Sequence, residues 1–197
     1  LYVGDLSGNL NVYEKRLGRR VNFVEEDGAI QGKPLIHKNM VIYGTSEGKI
    51  IARELDTLKL VYTKNLGSSI ESEVYPYKGR LFVHLRNHTI AALDVKTGKI
   101  LWSYKRAVPF LTTLNRVSVP LGHKNAVIVG FADGYLASLS IHDGHIIWEK
   151  KLSLAKKFLD IDLSPVLVQG TLWVGSLGSD FFIINPKNGV TLRRLMH

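Results

Sequence analysis

The chain has 197 residues, with 26 Lys and Arg against 17 Asp and Glu for a formal charge of +9, and no cysteine. Hydrophobic residues make up 45% and charged residues 22%, values that support a packed core and exclude wholesale disorder. Without cysteine, these residues form no disulfide scaffold, thiol nucleophile, Cys-ligated zinc site or iron–sulfur cluster, and no run approaches the roughly 18 apolar residues of a membrane helix.

The chain opens on a short apolar run, Leu1-Tyr2-Val3-Gly4, which is neither an initiator Met nor a charged-then-apolar leader and reads as a start inside a strand. A turn containing Gly8 follows, then a strand over 9–13 and a second turn at Leu17-Gly18. The second repeat adds a short leading strand over 34–37 before its apolar run, Val41-Ile42-Tyr43-Gly44. It then takes the same course through Gly48, a strand over 49–53 and a turn at Thr57-Leu58. The third has a leading strand over 73–77, the run Leu81-Phe82-Val83-His84, His88 in the glycine's place, a strand over 89–93 and Thr97-Gly98. The fourth runs through 118–121, Val127-Ile128-Val129-Gly130, Gly134, 135–139 and Asp143-Gly144; the fifth through 164–168, Leu172-Trp173-Val174-Gly175, Ser179, 180–184 and Asn188-Gly189. A closing strand follows each second turn, as at 99–103 and 145–149. Asp-Gly and Asn-Gly are strong hairpin signals because both central residues must tolerate positive φ. Each leading strand begins at or contains a proline, which suits a sheet edge.

The third residues of the apolar runs are spaced by 40, 40, 46 and 45. Four short antiparallel strands in 40–45 residues is the period of a β-propeller blade, and nothing sustains the 3.6-residue period of a helical repeat. The expected fold is therefore all-β: a β-propeller of four-stranded blades with about five repeats present (about 1–27, partial, then 28–67, 68–106, 107–152 and 153–197), forming one domain over 1–197.

The stretch from Ala92-Leu93-Asp94 through Thr97-Gly98 to Trp102 resembles the Ala-Leu-Asp-x-x-Thr-Gly-x-x-x-Trp signature of the pyrroloquinoline-quinone (PQQ) type repeat, and 138–148 is a looser copy ending at Trp148. Such a Trp suits the space between neighbouring blades; Tyr62 stands there in the second repeat and Arg193 in the fifth. Two families share this repeat. Quinone-dependent alcohol and sugar dehydrogenases carry longer inserts and often an adjacent cysteine pair, and this sequence has neither. The other is the family of the outer-membrane assembly lipoprotein BamB, a cofactor-free eight-bladed scaffold. The segment Leu159-Asp160-Ile161-Asp162-Leu163-Ser164-Pro165-Val166 resembles that family's Asp-x-Asp-Thr-x-Pro-Val-Val element, and Leu111, Leu114 and Arg116 before Ser118-Val119-Pro120 resemble its Leu-x-Leu-Arg element.

The resemblance implies a non-enzymatic scaffold on the periplasmic side of a Gram-negative outer membrane. Its implied partner is the set of POTRA domains of a BamA-like barrel-assembly protein, contacted by Asp160, Asp162, Leu111, Leu114 and Arg116. No catalytic, cofactor-binding or metal-binding residue is assigned. If Ile161 and Leu163 point into the blade, Asp160 and Asp162 share the solvent-facing side, where two like charges favour a positive partner. A quinone-dependent oxidoreductase and a protein-binding propeller of another pathway are the alternatives.

Competing motifs carry less. Gly44-Thr45-Ser46-Glu47-Gly48 matches a nucleophile elbow, but it aligns with hairpin turns of sister repeats, and the elbow needs a strand-to-helix turn. His142 and His145 flank a tight turn without a visible third ligand. Basic pairs such as Lys15-Arg16, Lys105-Arg106 and Arg193-Arg194 fall near outer turns and read as a solvated rim, open to peripheral membrane association but without the interleaved aromatics of a specific nucleic-acid surface. A family ring of eight blades leaves roughly three more to be supplied, about 120–135 residues at 40–45 each. A longer polypeptide, a homo-oligomer completing the ring, or a compact five-bladed closure would each meet that need.

Overall fold

The structure, a computed structural model, describes residues 1–108, 117–152, 161, 163–175 and 180–195. Every strand-bearing repeat forms one antiparallel sheet. The first holds three strands, β1 (Tyr2–Gly4), β2 (Asn9–Tyr13) and β3 (Arg20–Glu25). The second holds β4 (Leu35–His37), β5 (Met40–Gly44), β6 (Lys49–Glu54) and β7 (Leu60–Asn65), and the third β8 (Tyr75–Tyr77), β9 (Arg80–His84), β10 (Thr89–Asp94) and β11 (Ile100–Lys105). The fourth holds β12 (Leu121–His123), β13 (Ala126–Gly130), β14 (Tyr135–Ser140) and β15 (Ile146–Lys151), and the fifth β16 (Val166–Val168), β17 (Thr171–Gly175), β18 (Phe181–Ile184) and β19 (Thr191–Leu195). Strands follow chain order within each sheet, the meander of a propeller blade. The fold is the expected all-β propeller, with the first blade one strand short.

Burial explains why the middle strands lack the alternation of a two-faced sheet. In β5, β9, β13 and β14 nearly every side chain is buried, because both faces of a blade's middle are covered. The closing strands β7, β11 and β15 are mostly exposed, each turning the aromatic at its third residue inward. The leading strands are shorter than the proline positions predict. In the fourth blade the strand lies at Leu121–His123 rather than 118–121: Pro120 has no N–H to give a ladder, and the buried Ser118 hydroxyl instead bonds the N–H and carbonyl of Gly130, both at 3.0 Å.

The chain divides into two compact units, Leu1–Asn87 with Leu93–Leu101, and His88–Ala92 with Trp102–His197. The first contains a core of Leu10, Ile30, Val41, Tyr43, Ile51 and Leu58. Leu58 stands where sister blades carry glycine, and its φ of 57° shows that the turn holds its left-handed shape regardless. That conformation costs roughly 1–2 kcal/mol for a residue with a Cβ, offset by burying the side chain. The second unit contains Ile128, Leu136, Leu152, Ile161, Leu172, Val174, Phe182 and Ile184.

Candidate partner-docking site

Asp160, Asp162, Leu111, Leu114 and Arg116 all lie outside the described residues. What the structure shows is how the chain is fastened beside them. Ile161, between the two aspartates, is fully buried, and its N–H donates to the Phe131 carbonyl at 3.2 Å. In the first unit Ile30 and Ile70 make the same bond to Asp5 and Thr45, at 2.9 and 3.0 Å. Leu163 is 49% exposed, so the inward alternation expected over 161–163 holds at Ile161 and fails at Leu163. The Val119 N–H donates to the Ser164 hydroxyl at 3.0 Å. The two interblade segments that carry the candidate residues are thus tied together just past them, at 117–120 and 163–165.

Two kinds of joint hold successive blades. In the aromatic kind, the ring of a closing strand packs on the next blade's outer turn. The Tyr62 hydroxyl donates to the Val95 carbonyl at 3.1 Å, Trp102 Nε1 to Ile141 at 2.9 Å and Trp148 Nε1 to Pro186 at 3.1 Å. Burial pushes the Tyr62 phenol up to about 12, with Asp94 adding to the shift. In the first blade Asn22 takes the aromatic's register position, and Tyr2 from β1 reaches the Leu55 carbonyl instead, at 2.6 Å.

The polar kind forms at the first residue after a closing strand. Glu26 accepts from the Tyr43 hydroxyl at 2.6 Å and from Arg53 Nε at 2.7 Å. Burial, then the bond to Glu26, holds the Tyr43 phenol far above its ordinary range. Arg106, in the corresponding place, donates to Asp133 at 2.5 Å and Glu149 at 2.8 Å, with its guanidinium 4.2 Å from the Tyr135 ring centre. Burial works against its charge, but the bonds to Asp133 and Glu149 outweigh that and raise its pKa. Lys105 is exposed as a rim residue should be, while the Arg106 side chain is only 13% exposed and ion-paired, which corrects its reading as part of a solvated edge. The sequence signal for these joints was available: a charged residue in a place that Leu66 and Leu152 fill with apolar side chains.

Ser46 is a strut rather than a nucleophile: its hydroxyl accepts from the Ala29 N–H at 2.9 Å, and its own N–H donates to the Ala29 carbonyl. His145 Nδ1 lies 2.7 Å from Asp143 on an exposed turn. Among the described residues no three His, Cys, Asp or Glu side chains gather into a group that could hold a metal ion.

A family model described as "Outer membrane protein assembly factor BamB" matches residues 6–194. A curated relative of that description from Nitrosomonas eutropha is 27% identical over 153 residues, covering 78% of this chain and 37% of its own. The quinoprotein alcohol dehydrogenase PedH of Pseudomonas putida is 32% identical over 114 residues, 52% of this chain and 19% of that one. The crystal structure of BamB from Moraxella catarrhalis shares the fold, with a TM-score of 0.86 at 23% identity over 98% of this chain and 60% of that one. The chain spans between about a fifth and a half of the length of the curated relatives it matches first.

Proposed function

This chain belongs to the family of the outer membrane protein assembly factor BamB, and from that premise we propose that it is a non-enzymatic scaffold of outer-membrane β-barrel assembly. The observation that carries the reading is the family match, which runs through every blade from residue 6 to residue 194. The scaffold works on the periplasmic side of a Gram-negative outer membrane and docks the POTRA domains of a BamA-like protein. Asp160 and Asp162 supply charge to that contact, and Leu111, Leu114 and Arg116 supply apolar area and a fork of donors. The buried Ile161 and the Val119–Ser164 hydrogen bond support this arrangement by fixing the backbone beside both groups. A preorganised loop loses less entropy on binding than a free one.

The test is a pull-down of the POTRA domains with Asp160→Arg combined with Asp162→Arg. Two charge reversals at an interface cost several kcal/mol through like-charge contact, so capture should be lost while thermal unfolding of the free protein stays unchanged. Undiminished capture would remove the docking site. The likeness to PedH keeps a quinone-dependent oxidoreductase as the second reading. Incubation with PQQ and Ca²⁺, followed by gel filtration and a visible spectrum, separates the two: the scaffold elutes without quinone absorbance, and retained quinone would favour the enzyme.

A further inference from the structure

The two ends of a blade differ in charge and in what they expose. At one end the turn after the leading strand lies against the outer turn: the Leu55 N–H donates to the Asn39 carbonyl at 3.0 Å, Val95 to Gly79 at 3.2 Å and Ile141 to Asn125 at 3.0 Å. The turn between the two middle strands lies at the other end, where the closing strand finishes and the Leu66 N–H donates to the Gly48 carbonyl at 2.8 Å. Cations at that far end meet carboxylates, Lys49 with Asp27 at 2.7 Å and Arg86 with Glu71 at 2.9 Å.

At the near end the leading turns break a local rule. Each is a two-residue turn, closed by the pairing of His37 with Met40, Tyr77 with Arg80 and His123 with Ala126. Its first residue is left-handed, a conformation that Asn, Asp and Gly adopt easily and that strains a longer side chain. Lysine stands there in three blades, Lys38 at φ 53°, Lys78 at 46° and Lys124 at 53°, and each is exposed. Packing recovers little of that strain for an exposed side chain, so the lysines point to a contact outside the chain.

The outer turns beside them continue the pattern. In the first compact unit, exposed Lys59 and Lys99 end the outer turns of the second and third blades, and each is followed by an exposed apolar residue, Leu60 at 52% and Ile100 at 42%. Among the described residues Lys38, Lys59 and Lys99 enter no ion pair. Of the acids at this end, Glu54 and Asp94 are held within their own turns by Thr57 and Thr97, and Asp56 is the exposed one. Lysines are separate point charges rather than the planar forks that grip a single carboxylate, and exposed aliphatic side chains beside them suit the boundary between headgroups and acyl chains. We propose that this end of the second and third blades seats on an anionic phospholipid surface. Lys38, Lys59, Lys78 and Lys99 meet the phosphates, and Leu60 and Ile100 enter the headgroup layer. The contact goes beyond the proposed function and does not rest on it.

The test is sedimentation of the soluble protein with vesicles of phosphatidylcholine alone or mixed equally with phosphatidylglycerol. Binding to the anionic vesicles is expected, weakening as added salt shortens the Debye length. No binding, or equal binding to both, would overturn the proposal. A lysine near an anionic surface contributes roughly fivefold, so Lys38→Asn with Lys78→Asn should weaken binding about 25-fold. Asn suits the left-handed turn, so the Tm of this pair should hold or rise. Undiminished binding would refute the assignment, and a fall in Tm would show that the lysines serve their own turns instead. Leu60→Ser with Ile100→Ser should cut binding to the anionic vesicles several-fold, because apolar area then no longer enters the headgroups. If this variant binds as the parent does and poly-glutamate displaces both from the vesicles, the surface takes an acidic polypeptide and the lipid proposal falls.

Discussion

Glu26 and Leu152 occupy the same address in different blades. Each is the first residue after a closing strand, and each donates its N–H, at 2.9 Å, to the glycine carbonyl of its own blade's first turn, Gly8 or Gly134. From there their chemistry parts. Leu152 is buried in an apolar cluster with Ile128, Ile161 and Leu172. Glu26 enters a nearly dry polar joint with Tyr43 and Arg53. Arg106 holds the address a third time, with the charges reversed. The backbone of the repeat is therefore indifferent to whether a joint is greasy or ionic. What it demands is that each buried group at the address be matched by its neighbour.

The largest expected effect breaks the joint that both blade types share. Trp102 is 8% exposed and seated on Gly144, and Trp102→Ala should cost about 3–5 kcal/mol by urea unfolding. A cost under about 1 kcal/mol would show that the indole fills space the blades can close without it. Next comes a direct exchange of the two chemistries. Glu26→Leu leaves Arg53 without its carboxylate, and with side chains 15% and 11% exposed the loss should be about 2–3 kcal/mol, somewhat below that of a fully buried pair. Adding Arg53→Met together with Tyr43→Phe, which removes the buried phenol that bonds both Glu26 and Arg53, should restore stability to within about 1 kcal/mol of the parent, because an apolar joint of the Leu152 kind then forms. If the triple variant remains as unstable as Glu26→Leu, the two kinds of joint are not interchangeable.

The repeat arithmetic made the blades legible because turns and apolar runs are local features that the chain spells out in order. The ring joints at Trp102 and Trp148 were legible for the same reason, through the Thr-Gly and Asp-Gly turns ahead of each Trp. The leading strand of the fourth blade was not. Pro120 marks where a ladder ends, but the choice of Leu121–His123 came from the two-residue turn beyond it, which pairs His123 with Ala126. Tyr2 in place of an aromatic at Asn22 was hidden too, since a substitute from another strand leaves no trace at the repeat position. Arg106 was misplaced because its neighbour Lys105 is a rim residue, and only the carboxylates of the following blade, 27 and 43 residues on, draw the guanidinium inward.

A smaller effect is expected at Leu58, where the blade comparison concerns a turn. Leu58→Gly relieves a left-handed backbone worth roughly 1–2 kcal/mol but removes a buried side chain worth about 2–3, so a net loss of about 1 kcal/mol should appear in the unfolding midpoint. A gain in stability would mean that the strain, rather than the packing, dominates that turn.

The smallest effect separates two outer turns, one opening on a carboxylate and the other on an amide. Asp94 opens the turn of the third blade and accepts bonds from the Lys96 N–H at 3.1 Å, the Thr97 N–H at 2.9 Å and the Thr97 hydroxyl at 2.8 Å. Asn185 opens the turn of the fifth blade and accepts from the Lys187 N–H at 3.0 Å with an uncharged oxygen. The Thr97 side chain, then its N–H, holds the Asp94 carboxyl below its ordinary range. A carboxyl with a lowered folded pKa contributes stability that is present above its unfolded value, near about pH 4, and fades as pH falls through the folded value. Protonation turns an acceptor-only carboxylate into a weaker acceptor, so the Thr97 N–H should lose protection from hydrogen exchange only as pH falls below the ordinary carboxylate range, through the lowered folded value, while the Lys187 N–H keeps its own. Asp94→Asn should abolish the difference, since the third blade's turn then carries the fifth blade's chemistry. If both amides lose protection together, acid is loosening the whole fold, and the carboxylate of Asp94 has no local role in its turn.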